Sequence, residues 1–184
     1  MKAYFLGVVT PLFLLLGLGH QSQAKSLEIQ LEPYIGYGPF AVTESGTADS
    51  QLGPILGGFG GLLWGDWYFA LDYHTGGHYK LDKLTMELAH TLFGGGIGYI
   101  SSNWHLWIGY YPSNKLEEFQ QFLEYQGQGY KISVGWKFKS KLAISLNHVI
   151  NDWNDKRSTV GGTETGSAEG AQTYFSVSAP ITIF

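Results

Sequence analysis

The stretch YKISVGWKFKSKLAISLNHVI, residues 130–150, alternates with period two on both sides of a Lys139-Ser140-Lys141 turn. Tyr130, Ile132, Val134, Trp136 and Phe138 share one face, and Lys131, Ser133, Gly135 and Lys137 share the other. Past the turn, Leu142, Ile144, Leu146, His148 and Ile150 oppose Ala143, Ser145, Asn147 and Val149. Successive side chains of a β-strand point to opposite sides, so each run reads as a strand with one apolar face and one polar or small face. Two such strands joined by so short a turn predict an antiparallel hairpin.

The same period recurs along the chain. Lys25 to Tyr37 sets Leu27, Ile29, Leu31, Pro33, Ile35 and Tyr37 against Glu28, Gln30, Glu32, Tyr34 and Gly36. Pro54 to Trp64 and Trp67 to His74 flank a Gly65-Asp66 hairpin turn. His90 to Ile100 and a strand from Trp104 to Tyr111 flank Ser101-Ser102-Asn103, and a last strand runs from Gln172 to Phe184. The connections after the second, fourth and sixth strands are short. Those after the first, third, fifth and seventh are long: 38–53, 75–89, 112–128 and 151–171. The expected fold is therefore all-β, an eight-stranded antiparallel up-and-down transmembrane β-barrel with its short turns at one end and its long loops at the other. A soluble barrel with the apolar faces turned inward remains open, because alternation alone does not say which face is inside.

Composition points the same way. Charged residues are 14% of the 184, against roughly 25% in ordinary soluble domains, while aromatics reach 16% and glycines number 26. No cysteine is present, which excludes disulfides, Cys-based zinc sites and an acylated-Cys anchor. The formal net charge is −4 with no basic run, which disfavours nucleic acid. Residues 1–24 read as a cleaved signal peptide: Lys2, an apolar run from Phe5 to Leu18, and small residues Ser22 and Ala24 before the cut. Residues 25–184 are then the barrel domain.

Aromatic residues gather at the strand ends. Trp64, Trp67, Tyr99, Trp104, Phe138 and Phe184 fall beside the short turns and are expected to ring the periplasmic interface. Tyr37, Tyr73, Tyr110 and Tyr130 fall near the opposite ends and are expected to ring the outer one. The signal peptide, the opening LEPYIGYGPF, the hairpin GPILGGFGGLLWGDWYFALDY and terminal Phe184 resemble the small eight-stranded outer-membrane barrels of the OmpA/OmpX type, over essentially all of residues 25–184. That resemblance implies an outer-membrane location, contact with outer-membrane lipid and lipopolysaccharide, insertion by the barrel-assembly machinery, and a monomer. It also implies that the last strand is an assembly signal. In FSVSAPITIF, however, Phe184 lies on the face opposite Phe175, Val177, Ala179, Ile181 and Ile183, so the strand carries a bulge near Pro180 or the signal is degenerate.

Inward faces collect Glu28, Glu32, Asp72, Lys131 and Lys137, and a charge network filling the lumen is expected. Tyr34, Tyr68, Trp107 and Tyr111 are expected to fill the space left by inward glycines such as Gly94, Gly96 and Gly109. His74 and His90, with His78 in the loop beyond, match no metal-ligand spacing. His148, His90 and His105 lack the His-x-Ser pattern of barrel deacylases. No catalytic, cofactor or metal site is expected. Loop residues 112–127 allow a short helix, with Leu116, Phe119 and Leu123 at helical spacing and Asn114 and Glu117 as a capping pair, or an extended hairpin. The expected role is a non-enzymatic barrel acting structurally or through its outer loops. The alternatives are a narrow channel or binding barrel and a lipid A-modifying enzyme.

Overall fold

The computed structural model describes residues 27–44, 46–79, 86–138, 141–161 and 166–183. The signal-peptide segment and Phe184 lie outside the described residues. The chain forms β1 (Leu27–Glu44), β2 (Thr47–Trp64), β3 (Trp67–Tyr79), β4 (Met86–Ile100), β5 (Trp104–Glu118), β6 (Leu123–Lys137), β7 (Ala143–Ser158), β8 (Ala168–Ser178) and β9 (Ile181–Thr182). From β1 to β8 each strand pairs antiparallel with the next, β8 pairs back on β1 to close an eight-stave barrel, and the short β9 continues the eighth stave on β1. The turn between β2 and β3 places Gly65 at φ 63, in the left-handed region that glycine enters without strain.

The eighth stave has no bulge. Ser178 faces Tyr34, and three residues on, Ile181 faces Leu31, so the register of β8 and β9 on β1 is continuous. The ladder is interrupted because Pro33 and Pro180 lack the N–H that it needs. Ala179 N still donates to Pro33 O at 3.1 Å and Ile183 N to Ile29 O at 2.8 Å. Ile181 and Ile183 thus continue the exposed side of Phe175 and Val177.

The strands are longer than the alternation predicted. Most of the residues read as long loops are extensions of the same staves, with β1 and β2 paired as far as Glu44 and Thr47. Residues 112–127 take the hairpin form, turning at 119–122, and Asn114 and Glu117 sit in a strand rather than at a helix cap. A helix of one or two turns is marginal alone, whereas the hairpin adds to a ladder already built and buries Leu116, Leu123 and Tyr125. His78 likewise belongs to β3 and not to a loop.

Three side-chain layers fill the interior. At the short-turn end Tyr68, Ala70 and Trp107 pack with Phe59. Tyr34, Ile55, Leu92, Tyr111, Val149 and Tyr174 form the middle. Phe40, Leu88, Leu116, Leu123, Tyr125, Trp153 and Ala168 form a core inside the strand extensions.

Candidate functional site

The middle of the lumen is built around one cation. Lys131 is fully buried on β6, and its Nζ lies 2.8 Å from Asp72 Oδ2 on β3, which is fully buried as well. Lys131 also donates to Tyr34 Oη at 3.1 Å, Tyr34 donates to Asp72 Oδ1 at 3.1 Å, and Tyr111 donates to Asp72 Oδ2. The rings of Tyr34 and Phe59 each stand 4.6 Å from the ammonium. Hydrogen-bonding groups come from four staves and the Phe59 ring from a fifth, so the pair is hydrogen bonded on several sides, as a buried ion pair must be. Glu32 belongs to a separate group. It accepts from Gln30 Nε2 at 3.0 Å and from Ser178 Oγ at 2.6 Å. Glu28 and Lys137 are half-buried nearer the short-turn end. The five charges read as one network thus divide between a central pair and groups below it. The tyrosine hydroxyls that complete the centre carry no signal in the alternation beyond facing inward.

Above this centre lies a polar layer. His74, His78 and His90 are fully buried. The ring of His90 is 5.5 Å from that of His74, and Phe40 stacks on His78 and His90 at 4.4 and 5.0 Å. Among the described residues, no group of three His, Cys, Asp or Glu side chains could hold a metal ion. Asn114 is the hub of the layer. It meets His90 Nε2 at 2.9 Å, accepts from Trp153 Nε1 at 3.0 Å, and donates to Gln128 O and Asn151 Oδ1 at 2.9 and 2.8 Å, tying four staves together. Burial pushes His78 down to about 3 and His90 to about 4, the latter against the opposing hydrogen bond with Asn114.

The outer wall carries the aromatic residues. At the short-turn end Trp64 and Trp67 are register partners, the Tyr99 ring is 5.3 Å from Trp67 and 5.6 Å from Trp104, and Trp104 faces Trp136. Phe138 is exposed at the same end. Trp136 extends this arc and was missed as a member, because it lies one alternation inside the strand end. Tyr37, Tyr73, Tyr110 and Tyr130 are all exposed nearer the other end. Phe175 faces Tyr37 and Phe93 faces Tyr73, so both phenylalanines join them. Between the two levels the wall is apolar, with Leu71, Val134, Ile144 and Leu146 all exposed. The apolar runs differ in extent: Trp67 to Tyr73 on β3 and Trp104 to Tyr110 on β5, but Tyr130 to Trp136 on β6 and Ile144 to Ile150 on β7 are prolonged beyond the strand ends by exposed Phe138 and Leu142.

Two pairs have the composition of a nucleophile and a base. His148 Nδ1 and Thr173 Oγ1 are 2.8 Å apart on the outer wall, where they face each other across the ladder and satisfy two polar groups on an apolar surface. Ser145 Oγ and His105 Nε2 are 3.1 Å apart inside the short-turn end. The recess beside His105, also lined by Glu32, Phe59, Tyr68 and Trp107, measures about 20 Å³. That is room for about one water, which leaves none for an acyl substrate.

No family model matches the sequence, and no curated protein matches it. Solved structures do. Ail, the attachment invasion locus protein of Yersinia pestis, aligns with a TM-score of 0.55 at 12% identity, covering 84% of this chain and 99% of Ail. A second Ail structure, in complex with the heparin analogue sucrose octasulfate, gives 0.54 at 11% with the same coverage. Neisserial surface protein A gives 0.53 at 14%, covering 85% of this chain and 99% of that one. The chain has the fold of the small eight-stranded outer-membrane β-barrels.

Proposed function

We propose that the protein is an integral outer-membrane β-barrel without enzymatic activity, acting structurally or through the hairpins that project beyond its outer aromatic level. One observation carries this reading. Along a single continuous stave the polarity of the wall inverts. On β6, Tyr130, Ile132, Val134 and Trp136 are exposed and Lys131 and Ser133 are buried. Higher on the same strand Leu123 and Tyr125 are buried, and Glu124, Gln126 and Gln128 take the outer side. An apolar outer wall over one height only is what a hydrocarbon layer of limited thickness selects.

The filled lumen supports a structural role over a channel, since Lys131, Asp72 and the aromatic residues around them leave the ion pair closed to solvent. Ail was solved with a polyanion. The projecting hairpins here present Glu117, Glu124, Asp152, Asp155 and Glu169 around Lys115 and Arg157, a balance that favours uncharged or cationic partners.

The test is fractionation followed by gel mobility with and without boiling. The expected result is an outer-membrane band whose mobility shifts on heating. A water-soluble protein with no shift would overturn the reading. Lipid A mass spectra that change on expression would overturn the non-enzymatic part alone.

A further inference from the structure

Two bulges stand at one height on the outer wall, on either side of β6. In β5 the register shifts between Tyr111 and Asn114, so that Pro112 and Ser113 are both exposed opposite Gln128. In the pairing of β6 with β7, Gly127 faces Trp153 while Gln126 faces Asp155, which leaves Asn154 as the extra, exposed residue. A bulge re-aims the side chains around it. Gly127 is required between the two, because a Cβ there would lie 2.0 Å from Asp152 O. The result is a recess of about 410 Å³ lined by Pro112, Ser113, Lys115, Gln126, Asn154 and Asp155, within the size range of small-ligand sites.

Its chemistry is specific. Hydroxyl, amide, ammonium and carboxylate groups together offer both donors and acceptors. The charges are already matched, with Lys115 2.6 Å from Glu117 and 2.9 Å from Glu124, and Arg157 2.6 Å from Asp155. A charged ligand would have to compete with these pairs, whereas a neutral polyhydroxyl ligand would not. Directly below, the exposed rings of Tyr110 and Tyr130 stand 5.3 Å apart, and Tyr110 Oη donates to Gln128 Oε1 at 3.1 Å. Exposed aromatic rings provide a surface for the C–H face of a sugar, with the polar tip left for its hydroxyls.

The geometry points to a binding site for a neutral sugar ring of a glycolipid packed beside the barrel. The glycolipid is the source because the recess opens sideways on the wall, immediately above the Tyr110–Tyr130 pair, and so at headgroup height. This inference rests on the membrane reading proposed above.

The experiment uses the barrel in phosphatidylcholine nanodiscs. The added probes are a neutral glycolipid, diglucosyl diacylglycerol, the same diacylglycerol without sugar, and the same oligosaccharide freed of lipid. Native mass spectrometry counts the molecules retained per barrel. The expected result is retention of the sugar-bearing glycolipid, falling roughly tenfold, or about 1.4 kcal/mol, in the Ser113→Ala/Asn154→Ala double variant. Ser50→Ala, on β2 across the barrel, should retain it as wild type does. Equal retention by wild type and the double variant overturns the proposal, as does equal retention of the diacylglycerol alone, which would place recognition in the acyl chains. Equal affinity for the free oligosaccharide overturns the membrane source. All variants are checked for the heat-dependent shift. A barrel that shifts but fails these comparisons overturns this inference alone, and one that never inserts overturns the membrane reading with it.

Discussion

The lower and upper halves of the barrel use the same staves in opposite ways. Below the Tyr110–Tyr130 level the buried residues include Lys131, Asp72, Glu32 and Gln30, and the exposed ones include Val134, Ile144 and Leu71. Above it the interior holds Trp153, Phe40, Leu116 and Tyr125, and the outside holds Ser113, Gln126 and Asn154. Strand period and barrel closure are common to both. The upper half places its large apolar side chains inside, as water-soluble proteins do, around a buried polar layer of His78, His90 and Asn114. The lower half reverses that placement, the pattern that a wall facing lipid would require. The difference teaches that interior polarity follows from what the exterior must meet. Once the outer positions of a stave are committed to lipid, the alternating positions are free to carry charge, provided that they pair.

Breaking the lower interior should have the largest effect. Asp72→Ala strands Lys131 and is expected to destabilise the barrel by about 3–5 kcal/mol, while Asp72→Leu combined with Lys131→Met recovers most of that loss. Urea titration followed by the heat-dependent mobility shift reads both. In the upper core, Trp153→Ala removes a ring packed on Phe40 and His90 and is expected to cost about 3 kcal/mol or more. Its loss should be confined to the hairpins: protease should cut them while the mobility shift survives. If both variants lose the shift together, the two halves are a single cooperative unit and the comparison weakens.

Lysine scanning of the outer wall sharpens the contrast. Val134→Lys should cost about 2–4 kcal/mol in a bilayer, whereas Ser50→Lys, above the aromatic level, should stay within about 0.5 kcal/mol. The smallest expected effect is one of pH. Unfolded histidine takes up its proton near pH 6.5, while burial holds His90, above the outer aromatic level, down at about 4. Stability of the hairpins is therefore level above pH 6.5 and falls as the pH drops from there towards 4, by about 2 kcal/mol at pH 5 from His90 alone. His90→Gln should remove His90's share of that limb and leave the share of His78, which burial holds at about 3, so the drop in protease resistance between pH 7 and pH 5 should shrink by about half.

The lower half was legible because its outer positions are large and apolar at every second residue, as in Tyr130 to Phe138. The upper half was not, for a physical reason. Its outward positions are small or polar and its inward ones are sparse, as with Phe40 followed by Ala41-Val42-Thr43, so a strand there looks like a loop. The bulges hide it further, since two successive exposed residues such as Pro112 and Ser113 break the count. Lys131 and Asp72 could be placed on inward faces by alternation, but their pairing across the lumen depends on register and closure, which alternation does not carry. Asn114 was read as a helix cap because its local neighbours resemble one, while its true partners come from β4, β6 and β7.

The unequal apolar runs of the outer wall have a mechanical consequence. Phe138 and Leu142, just past the ends of β6 and β7, carry the apolar wall there one outward position further than on β3 and β5, about 6–7 Å if the chain stays extended. In a bilayer this is a one-sided hydrophobic mismatch, relieved by thinning the lipid beside β3–β5 or by leaning the whole barrel. Spin labels at Leu71 and Leu146 would report the two depths. A lean lowers one rim of the hairpin crown towards the lipid surface and lifts the other, which gives an apparently cylindrical molecule a front and a back.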